Sequence, residues 1–190
     1  MSGSKAGVFE RATNFLRKRR KSQSGARVKG VVRTRCLRDG VQVWEDTSQN
    51  IVVNGGLDYL IDVAIGNDTQ IATWFCGVVY DTPTFSATSN IGTPVGWTEV
   101  TAYSAATRAE YKDLDNGVGS RDNNSSTSVA AYTLEASMTV GGVILVSTNV
   151  KGGTAGTLFS GVAFSGGNRA VQTDDRLEVT YTLTVADDGA

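Results

Sequence analysis

The sequence predicts a mainly β protein: an antiparallel β-sandwich or jelly-roll-like body with one short helix and a basic N-terminal arm. Composition favours the β body, because two Pro against 22 Gly suit turns that use positive φ rather than proline kinks. Strand-like runs are separated by turn signals without a βαβ rhythm. A chain of 190 residues fits one domain plus an appendage. We place the body at residues 27–190 and the arm at residues 1–26.

Charge is divided sharply along the chain. Residues 1–38 contain twelve Lys or Arg and one acid, Glu10, a formal charge of +11. The remaining residues contain six basic and eighteen acidic groups, a formal charge of −12. Residues 22–25 are interpreted as a flexible joint between arm and body. Apolar residues at spacings of three and four in the arm are compatible with a short amphipathic helix that needs a surface to fold against; they are Val8, Ala12, Phe15 and Leu16.

The most basic part of the arm is the run Arg17, Lys18, Arg19, Arg20 and Lys21. Three interpretations stay open for it: a solvated tail, docking on an acidic protein surface such as a neighbouring subunit or a capsid shell, and nucleic-acid binding. Basic runs bind phosphate without sequence information, so the run alone does not choose a partner. Because the body is acidic, nucleic acid is not expected as the main partner. We take these five residues as candidate contacts to an acidic surface.

The body begins with a β-hairpin and continues into its one predicted helix. Asp39-Gly40 joins two β-prone runs, residues 28–37 and 41–44, and a two-residue Asp-Gly link is the strongest short hairpin signal. A Gly-rich loop follows at residues 54–56. The helix is predicted to end at Gly66-Asn67, and its apolar face is made of Leu57, Leu60, Ile61 and Ala64.

Six more strands are predicted downstream. Residues 73–80 are largely apolar, as in a central strand buried on both faces. The last strand alternates apolar residues with polar ones from Leu177 to Val185, as expected of a strand with one face exposed to solvent. Irregular stretches at residues 81–97 and 113–126 are expected at one end of the sandwich. The other strands are predicted at residues 99–103, 127–135, 143–150 and 157–164, and the predicted core residues are Trp44, Phe75, Tyr103 and Leu183.

The chemistry-bearing residue types give mostly negative indications. The sequence has no His, which removes Ser-His-Asp and Cys-His triads and, with two Cys, ordinary zinc sites. Cys36 and Cys76 are expected to be buried free thiols. Carboxylates close in sequence leave a glycosidase-like pair open, although acids in Gly- and Asn-rich loops are usually solvated; they are Glu99, Glu110, Asp113, Asp115 and Asp122. We therefore expect no enzyme, no cofactor and no catalytic residues.

Three weaker sequence features bear on binding. The run from Asp113 to Gly117 resembles a calcium loop, but Val118 and Asn124 stand where an EF-hand needs Gly and Glu. A weak surface calcium site at Asp113, Asp115 and Asp122 stays open, and no metal is assigned. The glycine pairs at 141–142 and 152–153 lack a phosphate-loop pattern and are interpreted as turns or bulges. Aromatic residues are interpreted as core rather than as a carbohydrate platform; they are Trp44, Trp74, Phe75, Trp97 and Tyr103.

An ordered set of motifs resembles a family of small virion proteins of tailed bacteriophages. The motifs are Asn54-Gly-Gly-Leu-Asp-Tyr-Leu-Ile-Asp62, Thr69-Gln-Ile-Ala-Thr-Trp74, Gly96-Trp-Thr-Glu-Val-Thr-Ala-Tyr103 with Thr107-Arg108, Gly141-Gly142, Gly152-Gly-Thr-Ala-Gly-Thr-Leu158 and Leu-Glu-Val-Thr-Tyr-Thr-Leu183. The resemblance covers roughly residues 53–183 and leaves the arm outside. Members are commonly described as structural, decoration or cement proteins. It implies a virion component without catalytic residues.

Two functions of different class follow. The first is a capsid decoration or cement subunit on the capsid exterior, made in the host cytoplasm, with the major capsid protein and itself, as dimer or trimer, for partners. The second is a tail or head-fibre module that binds a host receptor or glycan through Trp97 and the loops at residues 81–97 and 113–126. A third, weaker option places the arm on the packaged genome. No apolar run approaches the length of a membrane span, so no membrane partner is expected.

Overall fold

The computed structural model describes residues 25–187. The chain divides into two units. One is Val28–Val185, the β body; the other combines Met1–Arg27 with Ala186–Ala190, of which only residues 25–27, 186 and 187 are described. The candidate residues of the basic run, 17–21, and the predicted arm helix therefore lie outside the described residues.

The body is mainly β, as the sequence predicts, with one helix among the described residues. The helix, α1, spans Asn54–Ala64. The strands are β1 Ala26–Arg38, β2 Val41–Gln49, β3 Ile51–Val52, β4 Trp74–Tyr80, β5 Ala109–Tyr111, β6 Leu114–Asp115, β7 Ser120–Asp122, β8 Ala130–Thr133, β9 Met138–Val146, β10 Leu158–Ala163, β11 Arg169–Val171 and β12 Arg176–Asp187.

These strands form two six-stranded antiparallel sheets, consistent with the predicted sandwich. The first, sheet A, has the order β2-β1-β12-β7-β6, with β8 also paired to β12. The second, sheet B, has the order β3-β10-β9-β4-β5, with β11 paired to β9. Strand β12 thus lies beside β1 although the two are far apart in the sequence. This pairing brings the charged residues of β1 next to those of the last strand.

The predicted hairpin is confirmed at the start of the body. Asp39 and Gly40 both have positive φ, 51° and 79°, as the two central residues of a type I′ turn require. Arg38 pairs with Val41 directly across the turn. Between Cys36 and Leu37 the register shifts on the partner strand, which is the signature of a β-bulge.

The main core lies between the two sheets. On β1, Val32 and Cys36 point inward and are buried, while on sheet B Val78 and Val143 meet them from the opposite side. Tyr103 is fully buried, which confirms one predicted core residue. The other three, Trp44, Phe75 and Leu183, are only partly buried and pack against the edges of the two apolar clusters.

A second apolar cluster covers the outer face of sheet B. Val79 and Ile144 point away from the main core and contact Ile91 and Trp97 of the irregular stretch at residues 81–97. That stretch is irregular as predicted, but it folds back over the sheet rather than projecting from one end. Its apolar side chains explain this, because exposing them would forgo the burial of large hydrophobic surface.

Helix α1 is confirmed as an element, and its predicted apolar face is wrong in part. Tyr59 and Leu60 pack against the core, whereas Leu57 and Ile61 are 39% and 60% exposed. The helix begins close to β10 because of Gly56, where an added Cβ would lie 2.3 Å from the carbonyl oxygen of Phe159. A glycine there permits a backbone approach that no side chain would allow.

Several strand boundaries differ from the predictions. Residues 99–103 form only isolated bridges, at Glu99 and Tyr103, so a strand there is wrong. The stretch 113–126 contains the small β6–β7 hairpin, and β9 begins five residues before the predicted strand at 143. At Gly141 the pairing of β9 with β4 skips one residue, a bulge as predicted, while Gly152 adopts a positive φ of 72° in a turn.

Candidate functional site

The outer face of sheet A carries a polar cleft of about 340 Å³, which we call the arginine cleft. Unlike the outer face of sheet B, this region is not covered by an apolar loop of the described part of the chain. Its charged lining comes from two neighbouring strands, β1 and β12, and its rim from the loop between β7 and β8. The lining residues are Arg33, Arg35, Asn124, Ser125, Ser126, Val129, Arg176, Glu178 and Thr180.

Strand alternation places the charged side chains on one face. On β1, Val32 and Thr34 are buried, so Arg33 and Arg35, which alternate with them, point to the outer side. On β12, Leu177 is buried in the main core, and its neighbours Arg176 and Glu178 share the opposite face. The pairing of β1 with β12 then joins the two charged rows.

Glu178 organises the cleft. Its carboxylate is 8% exposed and accepts hydrogen bonds from Arg35 Nε at 2.5 Å and from Arg176 Nε at 2.9 Å. Burial alone would raise the pKa of this carboxyl, but the hydrogen bonds from Arg176 and Arg35 outweigh it and lower the pKa below its ordinary value. Glu178 is therefore ionised at neutral pH and fixes both guanidinium groups by one edge.

The other edges of these guanidinium groups are available. Arg35 and Arg176 are 42% and 50% exposed, and their terminal Nη groups make no hydrogen bond to any of residues 25–187. Arg33 is 44% exposed and donates from Nη2 to Glu45 at 2.7 Å. The cleft therefore presents unused donors from at least two arginines that are already held in place.

The rim of the cleft is fixed by side-chain hydrogen bonds. Asn123 is fully buried; it accepts from the Tyr181 amide at 2.6 Å and donates to the Val179 carbonyl at 3.0 Å. Ser125 and Ser128 exchange backbone and hydroxyl hydrogen bonds within the same loop. These contacts tie the β7–β8 loop to β12, so the walls of the cleft are held by the sheet itself.

Glu99, one of the carboxylates considered for catalysis, lies in a buried ionic cluster elsewhere. Arg108 is fully buried and donates to both of its carboxylate oxygens, from Nε at 2.7 Å and from Nη2 at 2.6 Å. Arg108 also donates to the carbonyls of Thr148 and Gly153, and the amide of Gly152 donates to Glu99. We call these five residues the Glu99–Arg108 cluster; it fastens two loops to sheet B.

The possible calcium site is not assembled. Asp113 and Asp115 are exposed on either side of Arg121 Nη1, at 3.9 and 3.4 Å, whereas Asp122 is buried and accepts from the amide of Asn124. Within residues 25–187 no group of three or more His, Cys, Asp or Glu is placed to hold a metal ion. The described residues therefore do not assemble the weak calcium site that the sequence leaves open for these three carboxylates.

Of the aromatic residues expected in the core, Trp97 and Tyr103 are buried, whereas Trp44, Trp74 and Phe75 are only partly buried against it. Trp97 is not available as a ligand platform. Its side chain is 7% exposed and packs against Phe85 with ring centroids 5.8 Å apart. The tail or fibre alternative places Trp97 on a binding surface, and that placement is wrong. Both cysteines are free and buried, as predicted, and burial raises the pKa of each thiol to about 12.

The structure thus brings together residues that no single motif suggested. Arg33 and Arg35 are visible in the sequence as basic residues alternating with Val32 and Thr34, but Glu178 follows 143 residues after Arg35. The basic run at residues 17–21, which the sequence predicts as a contact to an acidic surface, lies outside the described residues.

Comparison with known proteins adds no family. No protein-family model matches the chain, and a search of curated proteins finds no match. In the described part of the chain, no helix is long and apolar enough to cross a membrane.

Proposed function

We propose that the protein is a structural component of a tailed-phage virion, a decoration subunit that binds the major capsid protein and further copies of itself on the outside of the capsid. The motif resemblance supports the virion assignment. The observation that carries the binding role is the division of charge: residues 1–38 hold twelve of the 18 basic residues, and the rest of the chain is strongly acidic.

The described structure extends this basic segment onto the body. Strand β1 is the last part of it, and β1 presents Arg33 and Arg35 on the open face of sheet A next to Arg176. A protein of this kind suits attachment to an acidic protein surface, because long-range attraction is confined to one region while the rest of the body repels that surface. Many weak contacts, repeated over an oligomer, then hold together through multivalency.

The body also has the character of a rigid spacer. Its buried charged groups are engaged in hydrogen bonds that connect loops to sheets, as in the Glu99–Arg108 cluster and in the bidentate pair of Arg38 with Asp175. Networks of this type fix loop positions in a unique arrangement. Such a body would keep its binding face in one orientation on the shell.

The test is cosedimentation of the full-length protein with purified phage heads that lack tails, across a salt series. A matched variant carries Gln at residues 17–21, and its far-UV circular dichroism must match that of the unmodified protein. We expect saturable binding that weakens as salt rises and drops in the Gln variant. Absence of binding to heads, with binding to purified tails instead, would replace decoration by the tail or fibre function.

A further inference from the structure

We propose that the arginine cleft is a carboxylate-binding site that takes an acidic peptide segment of a protein partner. This inference rests on the proposed function, because it specifies the chemistry of the surface to which the decoration subunit attaches. The occupant is a segment with Asp or Glu side chains. The described residues carry the proposal through three features.

The first feature is the arrangement of donors. Glu178 uses the Nε atoms of Arg35 and Arg176, and among residues 25–187 their Nη groups have no hydrogen-bond partner. A carboxylate matches paired N–H donors of a guanidinium group in a bidentate geometry, and such charge-assisted hydrogen bonds are stronger than neutral ones. Because both side chains are already held by Glu178, little side-chain entropy is lost when the ligand binds.

The second feature is the mixed lining. Val129 supplies an apolar surface for the methylene groups of an acidic side chain, and Asn124, Ser125 and Ser126 supply polar groups along the rim. Ser126 and Asn124 are exposed, so their side chains can meet the backbone of a bound segment. A peptide offers carboxylates, methylenes and backbone amides together, which matches this set of partners.

The third feature is the negative charge within and beside the cleft. Glu178 lies between two of the arginines and Glu45 lies against the third. These carboxylates reduce the positive potential and would repel the continuous line of phosphates in a nucleic acid, whereas isolated carboxylates can approach single guanidinium groups. The acidic composition of the rest of the body adds to the repulsion of a long polyanion that would extend beyond the cleft.

The test measures binding of an end-capped hexaglutamate peptide to the full-length chain. The background carries Gln at residues 17–21, so that the basic run does not contribute. Arg176→Gln removes one donor of the cleft, and Arg121→Gln removes an arginine of similar exposure, 52%, outside it. We expect Arg176→Gln to weaken peptide binding about tenfold by calorimetry and Arg121→Gln to leave it nearly unchanged.

A second variant guards against loss of fold. Arg33→Gln does not touch Glu178, so the buried carboxylate keeps both of its partners. We expect it to weaken binding severalfold while the melting temperature stays close to that of the background. In amide-resolved NMR, the peptide should shift Ser125, Ser126 and Thr180 at the cleft.

Two outcomes would overturn the proposal. Equal peptide affinity for the Arg176→Gln, Arg33→Gln and Arg121→Gln variants would show that the cleft is not the site. Stronger binding of an oligothymidylate than of hexaglutamate, lost in the cleft variants, would make the ligand a nucleic acid. The peptide experiment contains no phage heads. Either result therefore leaves the decoration proposal untouched, and the cosedimentation experiment tests that proposal separately.

Discussion

Replacing Arg108 by Met should strongly destabilise the body. The guanidinium group is fully buried and makes two hydrogen bonds to Glu99 and one each to the carbonyls of Thr148 and Gly153. Met fills a similar volume without polar atoms. The change would therefore leave the Glu99 carboxylate, which is 5% exposed, with the amide of Gly152 as its remaining donor.

The magnitude follows from these contacts. Removing one partner of a buried ion pair typically costs about 3–5 kcal/mol, because the other charge stays desolvated and uncompensated. Two orphaned carbonyls can add about 1 kcal/mol each where water does not reach them. A domain of this size is stable by roughly 5–15 kcal/mol, so the variant should remain foldable but much less stable. Glu99→Gln in the same chain should recover part of the loss, since the buried charge disappears.

The assay is urea unfolding followed by tryptophan fluorescence, on Arg108→Met, Glu99→Gln and the double variant. The free energies of unfolding give a coupling energy between the two sites, which we expect to exceed about 1.5 kcal/mol. The control is Arg121→Met, whose exposed pairs with aspartates should be worth less than about 1 kcal/mol. Additive effects of the two cluster substitutions, or a loss in Arg108→Met no larger than in the control, would refute the reasoning.

Three further outcomes are expected. Gly56→Ala should lower the melting temperature by several degrees, because its Cβ would lie 2.3 Å from a carbonyl oxygen of β10, whereas Gly55→Ala, with 3.8 Å to the nearest atom, should be neutral or slightly stabilising. Cys36 and Cys76 should not react with a disulfide reagent at about pH 8 in the native protein and should both react in denaturing guanidinium, since burial raises both pKa values to about 12. Hydrogen bonds from an arginine of β1 lower the pKa of Asp175 below its ordinary value. Its stabilising contribution is therefore complete above that ordinary value and is lost as pH falls below it, so Asp175→Asn should flatten the decrease of unfolding free energy between about pH 5 and 2.

Local signals predicted the elements whose conformation is determined by neighbouring residues. The Asp39-Gly40 turn is specified by two positive φ angles. The predicted alternation along β12 holds from Leu177 to Tyr181, where the apolar side chains are buried, and fails at Val185, which is 41% exposed. Glu99 shows where such signals stop. Its segment is β-prone, yet Glu99 is turned toward Arg108 and the 148–153 loop, and only bridge pairing remains there. That choice depends on residues as far as 53 positions away, which periodicity does not reveal.

The candidate site was beyond prediction for a related reason. The alternation of Arg33 and Arg35 with buried residues is local, and it could have identified an exposed basic row on β1. The row becomes part of a cleft because β1 pairs with β12, which carries Arg176 and Glu178. The loop that Asn123 ties to β12 forms the rim of that cleft. Pairing between the first and last strands of a domain is set by the whole core, so no segment of the sequence carries it alone.

The Glu99–Arg108 cluster and the arginine cleft differ in how many of their charged groups have all their hydrogen-bond partners within the chain. We relate this difference to their roles: the first supports the fold, and the second is suited to recognition of a partner. In the Glu99–Arg108 cluster the charges are almost fully buried, and their hydrogen bonds connect segments of the same chain. In the arginine cleft Glu178 is the buried charged residue, while the three arginine side chains stay 42–50% exposed, and those of Arg35 and Arg176 have donors without a partner among residues 25–187. An internal carboxylate that holds arginines by one edge leaves the opposite edge for a carboxylate from outside. A partner that places a carboxylate against this opposite edge would form an ion pair at the surface, like the one that Glu99 and Arg108 form inside the fold.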